Sequence, residues 1–267
     1  MGECTWKRSV RLLGGAHVQA GIDTCVHPVL LHVGGVALPS YGVFVAMGMF
    51  VGWWVRRREV ARLGYVASPG HRWVGLGALL GAAVGSKLGM VLFGADLGEL
   101  WHHMLDADFT GKTVVGGVAG GYLGVELTKR IVGVSHSTGD GFAVALPLAQ
   151  GFGRIGCLLH GCCAGIVTEG PVAVLVGGVR RLPAPAFESG LDFALAGVLW
   201  AIRLRPRPEG VLFKLWLIGY AAIRFVLEPL RADAVIGWGG LTWVQWVCLA
   251  TMGAFGGWVM GARAGRR

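Results

Sequence analysis

The sequence predicts an all-α, polytopic membrane protein of about seven transmembrane helices. Three observations predict it. Of the 267 residues, 54% are hydrophobic and only 15% are charged, and the mean hydropathy is +0.61; a soluble domain carries about 25% charged residues. The Lys and Arg residues fall in short blocks between long apolar runs, the arrangement of membrane proteins. The chain also holds 47 glycines, each costing about 1 kcal/mol against Ala in a soluble helix, whereas small residues let membrane helices approach closely. Disorder, a collagen-like chain and a nucleic-acid module are excluded. The net charge of +9 is spent in blocks beside apolar runs, so no nucleic-acid partner is expected.

A span needs about 20 mostly apolar residues. The first runs over 36–55 and is followed by Arg56, Arg57, Arg58, Arg62 and Arg72. The second, 73–93, leads into loop 94–112, where Asp96, Glu99, Asp106 and Asp108 face one Lys112. The third, 113–128, ends at Lys129 and Arg130, and the fourth covers 141–160. Residues 161–189 form the longest connection, an arm with some extended structure, as Gly, Pro, Val and Arg180-Arg181 indicate. The fifth, 190–203, precedes Arg205 and Arg207; the sixth is 211–228; loop 229–238 carries Arg231 and Asp233. The seventh, 239–260, precedes Arg263, Arg266 and Arg267. The positive-inside rule puts the basic connections in the cytoplasm, with the N-terminus outside and the C-terminus inside. Lys7, Arg8 and Arg11 oppose this only from a distance. The chain thus reads as an N-terminal extension (1–35), a seven-span membrane domain (36–260) and a basic C-terminal tail (261–267). Residues 1–28 lack the continuous apolar core of a signal peptide, and no apolar run precedes Cys25 as lipid acylation would need. Of the tryptophans at 53, 54, 73, 101, 238, 243 and 246, several fall at span ends, as an interfacial belt explains.

Charges inside apolar spans are costly and mark function. Lys87, Arg154, Arg224 and Glu228 are such charges, while Glu126 lies close enough to a span end to snorkel. Arg224 and Glu228 are four residues apart and share a helix face. Arg154 has no acidic residue within one turn, so it needs a distant carboxylate or an anionic ligand. Gly153 and Gly156 beside it leave the backbone open to a headgroup. A guanidinium grips phosphate through a planar fork of donors. Two of them converging inside a membrane predict a site for an anionic phospholipid.

The stretch Gly153-Arg154-Ile155-Gly156-Cys157-Leu158-Leu159-His160-Gly161-Cys162-Cys163-Ala164-Gly165 resembles the signature of the prolipoprotein diacylglyceryl transferase family. Other pieces follow in order: Ser40-Tyr41-Gly42, Gly85-Ser86-Lys87-Leu88-Gly89, Lys112-Thr113-Val114-Val115-Gly116-Gly117, Pro183 with Glu188, Arg224 with Glu228 and Arg231, and Gln245. The resemblance spans roughly 36–260. It implies a bacterial inner-membrane enzyme with a periplasmic arm. Such an enzyme moves the diacylglyceryl group of phosphatidylglycerol onto the thiol of a lipoprotein-signal cysteine, with release of glycerol phosphate. It implies no metal and no organic cofactor; the partners are the anionic phospholipid, the prolipoprotein or another thiol acceptor, and the membrane. By resemblance Arg154 and Arg224 hold and neutralise the phosphate, Glu228 orients Arg224, and Tyr41, Lys87, Gly156, Gly161, Gly165 and Arg231 shape the substrate site. The chain departs from the family pattern at Val115, where a His is usual, at Cys157 for Asn, at Cys162 for an acidic residue, and at Pro185 and Phe187 for Gln and Tyr. These departures define a Cys-Cys branch.

Cys157, His160, Cys162 and Cys163 lie within seven residues. Four readings stand side by side: small soft side chains packing a dense bundle, a nucleophile with Arg154 lowering a thiol pKa and His160 as base, a redox disulfide, or a metal site. The spacing is not a standard zinc pattern. Cys157, His160 and Cys162 therefore join Arg154, Arg224 and Glu228 as candidate catalytic residues. A thiol-redox or thiol-transfer membrane protein, and an inactive lipid-binding paralogue, are the alternatives to a lipid-dependent transferase. His102-His103 sits apart, in the acidic loop.

Overall fold

The computed structural model describes residues 6–11, 17–22, 27–33, 36–65, 70–88 and 114–264. Cys4, Cys25, the acidic loop with His102, His103 and Lys112, and the terminal Arg266 and Arg267 lie outside the described residues. Three antiparallel hairpins pair β1 (Trp6–Arg11) with β2 (His17–Ile22), β3 (Val29–Val33) with β4 (Val36–Pro39), and β5 (Val174–Val176) with β6 (Val179–Arg181). The described residues hold seven α-helices: α1 Ser40–Arg62, α2 Gly70–Leu88, α3 Val114–Val132, α4 Ala145–His160, α5 Ala184–Ile202, α6 Val211–Leu227 and α7 Trp243–Ala264. Each coincides with one apolar run of the sequence. One of them, α5, is both long and apolar enough by itself to cross a membrane.

Two boundaries differ most: α1 runs on to Arg62 rather than ending near 55, and α5 begins at Ala184 rather than near 190. Pro183 takes the N-cap position and Pro185 stands in the first turn, where a missing N–H is harmless and a fixed φ favours the helix. The arm therefore ends at Pro183, and Glu188 lies inside the helix.

The chain divides into two compact units, 1–59 with 138–267, and 60–137. In the second unit α2 and α3 pack through glycine. Gly77, Gly81 and Gly85 recur at four-residue intervals on α2, and Gly116, Gly120 and Gly124 do so on α3. A Cβ at Gly81 would strike the Gly120 carbonyl, and one at Gly85 would lie 2.6 Å from the Gly120 Cα. The backbones thus touch, which is what a small-xxx-small pattern permits. The unit ends on a Tyr65 hydroxyl donating to the Ser137 carbonyl at 3.1 Å.

In the first unit α1 rests on α4 where Gly48 meets the Ala149 carbonyl and Gly156 meets Phe44 and Tyr41. Ser189 on α5 donates to the Gly151 carbonyl of α4 at 2.9 Å. The start of α6 is capped from afar: Asp140 accepts the Gly210 N–H at 2.8 Å and the Phe213 N–H at 2.9 Å. The start of α7 carries a capping box. The Gln245 N–H donates to Thr242 Oγ1 at 3.1 Å, and the Thr242 N–H donates to Gln245 Oε1 at 3.0 Å. The arm is knitted by backbone bonds: Gly165 N to Leu182 O at 2.8 Å, Leu182 N to Ile166 O at 3.0 Å and Ile166 N to Leu230 O at 3.0 Å.

Each unit, taken by itself, exposes large apolar side chains. Phe50 and Trp53 on α1, Leu79 and Leu80 on α2, Leu123 and Ile131 on α3, Val198 on α5 and Val226 on α6 are all more than half exposed. Glu59, Arg154, Glu188, Asp192, Arg224 and Glu228 are buried. A soluble protein distributes these residue types the other way round.

Candidate functional site

Arg154 points inward from the last two turns of α4, buried to 8% exposure. Its distant carboxylate is Glu188, on the second turn of α5. Arg154 Nη2 lies 2.8 Å from Glu188 Oε1. Ser189, the next residue, fixes α5 against α4 through its bond to Gly151, so the pair is held by its own neighbours in sequence.

Arg224 approaches the same oxygen from α6. Its Nη2 donates to Glu228 Oε2 at 2.5 Å, four residues along the chain. Its Nη1 stands 3.8 Å from Glu188 Oε1, beyond hydrogen-bonding distance, and makes no hydrogen bond. Glu228 opens a short turn, Glu228–Leu230, at the end of α6. Its second oxygen accepts from Thr242 Oγ1 at 3.4 Å, the residue that caps α7. Gln245 extends the chain of contacts by donating to the Phe225 carbonyl at 3.3 Å. The four charges therefore run Arg154, Glu188, Arg224, Glu228, drawn from three helices. Buried ion pairs of this kind must recover their desolvation cost through geometry and added hydrogen bonds. Glu228 has them; the facing Arg224 Nη1 does not.

Two further buried groups border the network. Asp192 is fully buried one turn along α5 from Glu188, and Tyr220 is buried one turn before Arg224. Neither is singled out by the reading of buried charges in the sequence. The signal for Asp192 is its i,i+4 spacing to Glu188, the two acidic residues of an apolar segment.

Tyr41 opens α1 and brings its ring to 6.1 Å from the His160 ring, centroid to centroid. Their approach follows from Gly156, where a Cβ would lie 3.0 Å from Phe44 Cβ and 3.3 Å from Tyr41 Cα. Arg154 and Cys157 are three residues apart on one face of α4, so Tyr41, Arg154, Cys157 and His160 gather at one end of that helix.

The helix ends in a Schellman turn. Gly161 takes φ 78°; its N–H donates to the Leu158 carbonyl at 3.2 Å, and the Cys162 N–H to the Cys157 carbonyl at 3.1 Å. This turn folds Cys162 and Cys163 back beside Cys157, and the three sulfurs lie within 4.8 Å of one another. All three are free thiols. Hydrogen bonds from Cys157 and Cys162 hold the Cys163 thiol well below the ordinary thiol range, with Arg154 and Arg231 acting the same way. Cys162, whose thiol donates to the Cys157 carbonyl at 3.7 Å, is pushed up by its neighbours Cys157 and Cys163 and by burial. A small cavity walled by Leu158, Cys162, Ala164, Val174 and Pro183 lies beside this turn; its walls include none of the four network charges.

The remaining candidates lie outside the network of four charges. Gly165 is buried in the arm, where a Cβ would meet the Leu230 carbonyl at 2.5 Å. Arg231 is bidentate to Asp233, at 2.9 and 2.7 Å, and holds that carboxyl below the usual carboxylate range. Lys87 lies in the last turn of α2, in the other unit. The Val115 side chain lies outside the described residues.

Comparison with known proteins gives one consistent answer. The family model described as prolipoprotein diacylglyceryl transferase matches residues 28–260. A phosphatidylglycerol–prolipoprotein diacylglyceryl transferase of Chromohalobacter salexigens is 30% identical over 241 residues, covering 85% of this chain and 88% of that one. Proteins of the same name from Francisella tularensis subsp. mediasiatica and subsp. novicida are each 28% identical over 217 residues, covering 77% of this chain and 80% of theirs.

Proposed function

The chain belongs to the prolipoprotein diacylglyceryl transferase family, and from that membership we propose that it transfers a diacylglyceryl group from phosphatidylglycerol to a prolipoprotein cysteine. The cysteine sulfur bonds the terminal carbon of the diacylglyceryl group, the bond from that carbon to the phosphate oxygen breaks, and glycerol phosphate leaves as the thiol gives up its proton. The protein is a membrane transferase of lipoprotein biosynthesis. Its seven described helices cross the bacterial inner membrane as the 36–260 domain, with 1–35 as an outer extension and 261–267 as a cytoplasmic tail. Arg56, Arg57, Arg58 and Arg62 at the end of α1, Lys129 and Arg130 at the end of α3, and Arg203 after α5 support this orientation. The exposed apolar side chains of each unit support the lipid environment.

In that orientation the start of α1, the end of α4, the start of α5 and the end of α6 share the outer side. Arg154 is six residues from its helix end, roughly 9 Å, so the network lies beneath the outer interface. Arg154 and Arg224 take the phosphate, Glu228 orients Arg224, and Glu188 holds the two guanidiniums at a common point until the headgroup competes for them. Preorganised cations stabilise a leaving phosphate most in a water-poor site. Tyr41 and His160 border the route by which a thiol reaches the glyceryl carbon, while Gly156, expected to face a headgroup, instead lets α1 press against α4. The observation that carries this reading is Arg224 Nη1, a buried donor aimed toward Glu188 with no hydrogen bond of its own.

The test is reconstitution in vesicles of phosphatidylglycerol with a lipobox peptide, measuring glycerol phosphate release and peptide lipidation. The wild type releases glycerol phosphate in step with lipidated peptide. Arg154→Ala abolishes both, and Arg224→Lys, which keeps the charge and loses the fork, lowers them at least tenfold. Unchanged turnover in Arg154→Ala removes the proposed role; headgroup binding by the wild type without product makes the chain a binding protein instead.

A further inference from the structure

The three cysteines at the end of α4 are not accounted for by phosphate binding. We propose that Cys157, Cys162 and Cys163 form a binding site for one thiophilic metal ion of the zinc(II) or copper(I) class. Four features on the molecule lead there. The three sulfurs lie within 4.8 Å of one another; thiolates bound to one ion at about 2.3 Å stand roughly 4 Å apart. The set is assembled by backbone, because the Schellman bonds from Gly161 and Cys162 close the turn without any sulfur–sulfur link. Cys163 adopts φ 58° and is the one non-glycine residue with positive φ among the described residues. That backbone is disfavoured for any side chain with a Cβ, and here it brings the third sulfur in beside the other two. Lastly, the guanidiniums of Arg154 and Arg231, each also paired to a carboxylate, lie within electrostatic reach of Cys163 and offset part of the negative charge that three thiolates leave around a mono- or divalent cation.

Two simpler accounts explain less. The Schellman turn usually places an apolar contact between the residues that Cys157 and Cys162 occupy, but that needs no thiol and no third member. A disulfide, Cys157 with Cys162 or Cys163, uses two sulfurs and leaves the third without a role. Soft thiolates select copper(I) and zinc among common ions. Binding releases thiol protons to solvent and changes no oxidation state. His160 stands outside the set, so copper(I) binds with three sulfur neighbours, and zinc(II) completes its four with water or an added thiol.

The experiment uses the full-length protein in detergent, with Cys4→Ser, Cys25→Ser and Cys248→Ser as background, reduced and free of oxygen. Zinc(II) and, separately, copper(I) are titrated against a chromophoric chelator. The expected result is one equivalent of at least one of the two ions, a thiolate-to-metal absorption band, and three sulfur neighbours at about 2.3 Å by X-ray absorption. Cys163→Gly keeps the left-handed backbone at no steric cost and removes the thiol. It should fold as well as the background and lose at least tenfold in affinity, as should Cys163→Ser. Stoichiometry below one for both ions, or undiminished affinity in Cys163→Gly, overturns the proposal. So does a Cys157–Cys162 disulfide in protein taken from cells with thiols trapped. None of these readouts involves lipid turnover, so failure here leaves the transferase reading untouched.

Discussion

Two regions of this molecule bring helices into close contact by opposite means. The α2–α3 pair does so by omission: at Gly81, Gly85 and Gly120 there is no side chain, and backbone meets backbone. The α4–α5–α6 group does so by inclusion, burying Arg154, Glu188, Arg224 and Glu228 in its seams. In lipid there is no hydrophobic force between helices, so close packing and polar contacts supply association. The first region associates through packing at its glycines. The second carries charges whose desolvation is only partly compensated, and this is where the chemistry is assigned. The difference teaches that one seam is held by packing alone, whereas the other combines stabilising ion pairs with the proposed chemistry.

Substitution can break that contrast in graded steps. The largest effect is expected at Glu188. Glu188→Ala removes the carboxylate between two buried guanidiniums, and breaking a buried pair costs about 3–5 kcal/mol; thermal unfolding in detergent should show it, with glycerol phosphate release lost as well. Glu188→Gln should fall between wild type and Ala. If Glu188→Ala is as stable as wild type, the two arginines are not held by it. Next comes Gly120→Val, which forces a branched side chain into the α2 backbone. Overpacking of this kind costs typically about 1–3 kcal/mol, read as a lower unfolding temperature, and Gly153→Ala, with open space around its Cβ position, is the control that should change little. Thr242→Ala is smaller: losing an N-cap costs about 1 kcal/mol, and Thr242→Ser should restore it. An equal loss in Ser would deny the capping box.

The smallest effect is at Asp233, whose carboxylate is mostly exposed beside Arg231. Its folded pKa is depressed, so its stabilisation is present above the unfolded value of about 3.9 and lost as pH falls through the folded one. Asp233→Asn should therefore differ from wild type near neutrality and converge with it in acid. A difference that grows on acidification would reverse the assignment.

The seven helices were legible because apolar length is a one-dimensional property, and all seven runs became helices. The start of α5 was not, because Glu188 makes Ala184–Ser189 look like a connection, and only Pro183 and Pro185 hint at a helix N-terminus. Arg154, Arg224 and Glu228 stand out in sequence as charges in apolar runs. The partner of Arg154 does not: it lies on the next helix, beyond the arm, and no local spacing encodes that meeting. Gln245 shows the converse. Its place in a Thr-x-x-Gln pattern is a local signal, and its structural role is to close the first turn of α7. The gathering of the cysteines sits between these cases, since Gly161 marks a helix end but the fold-back of Cys163 rests on an uncommon backbone conformation.

The short ladder that joins residues 165–166 to Leu182 on one side and Leu230 on the other has a consequence for the acids beyond it. Leu182 stands six residues before Glu188, and Leu230 two after Glu228, so both carboxylates hang from a single peptide lattice. Their span is set by main-chain geometry that side-chain exchange leaves intact. Evolution could therefore rewrite the walls of this chamber, cysteines included, while the gauge between its two anionic posts stayed constant.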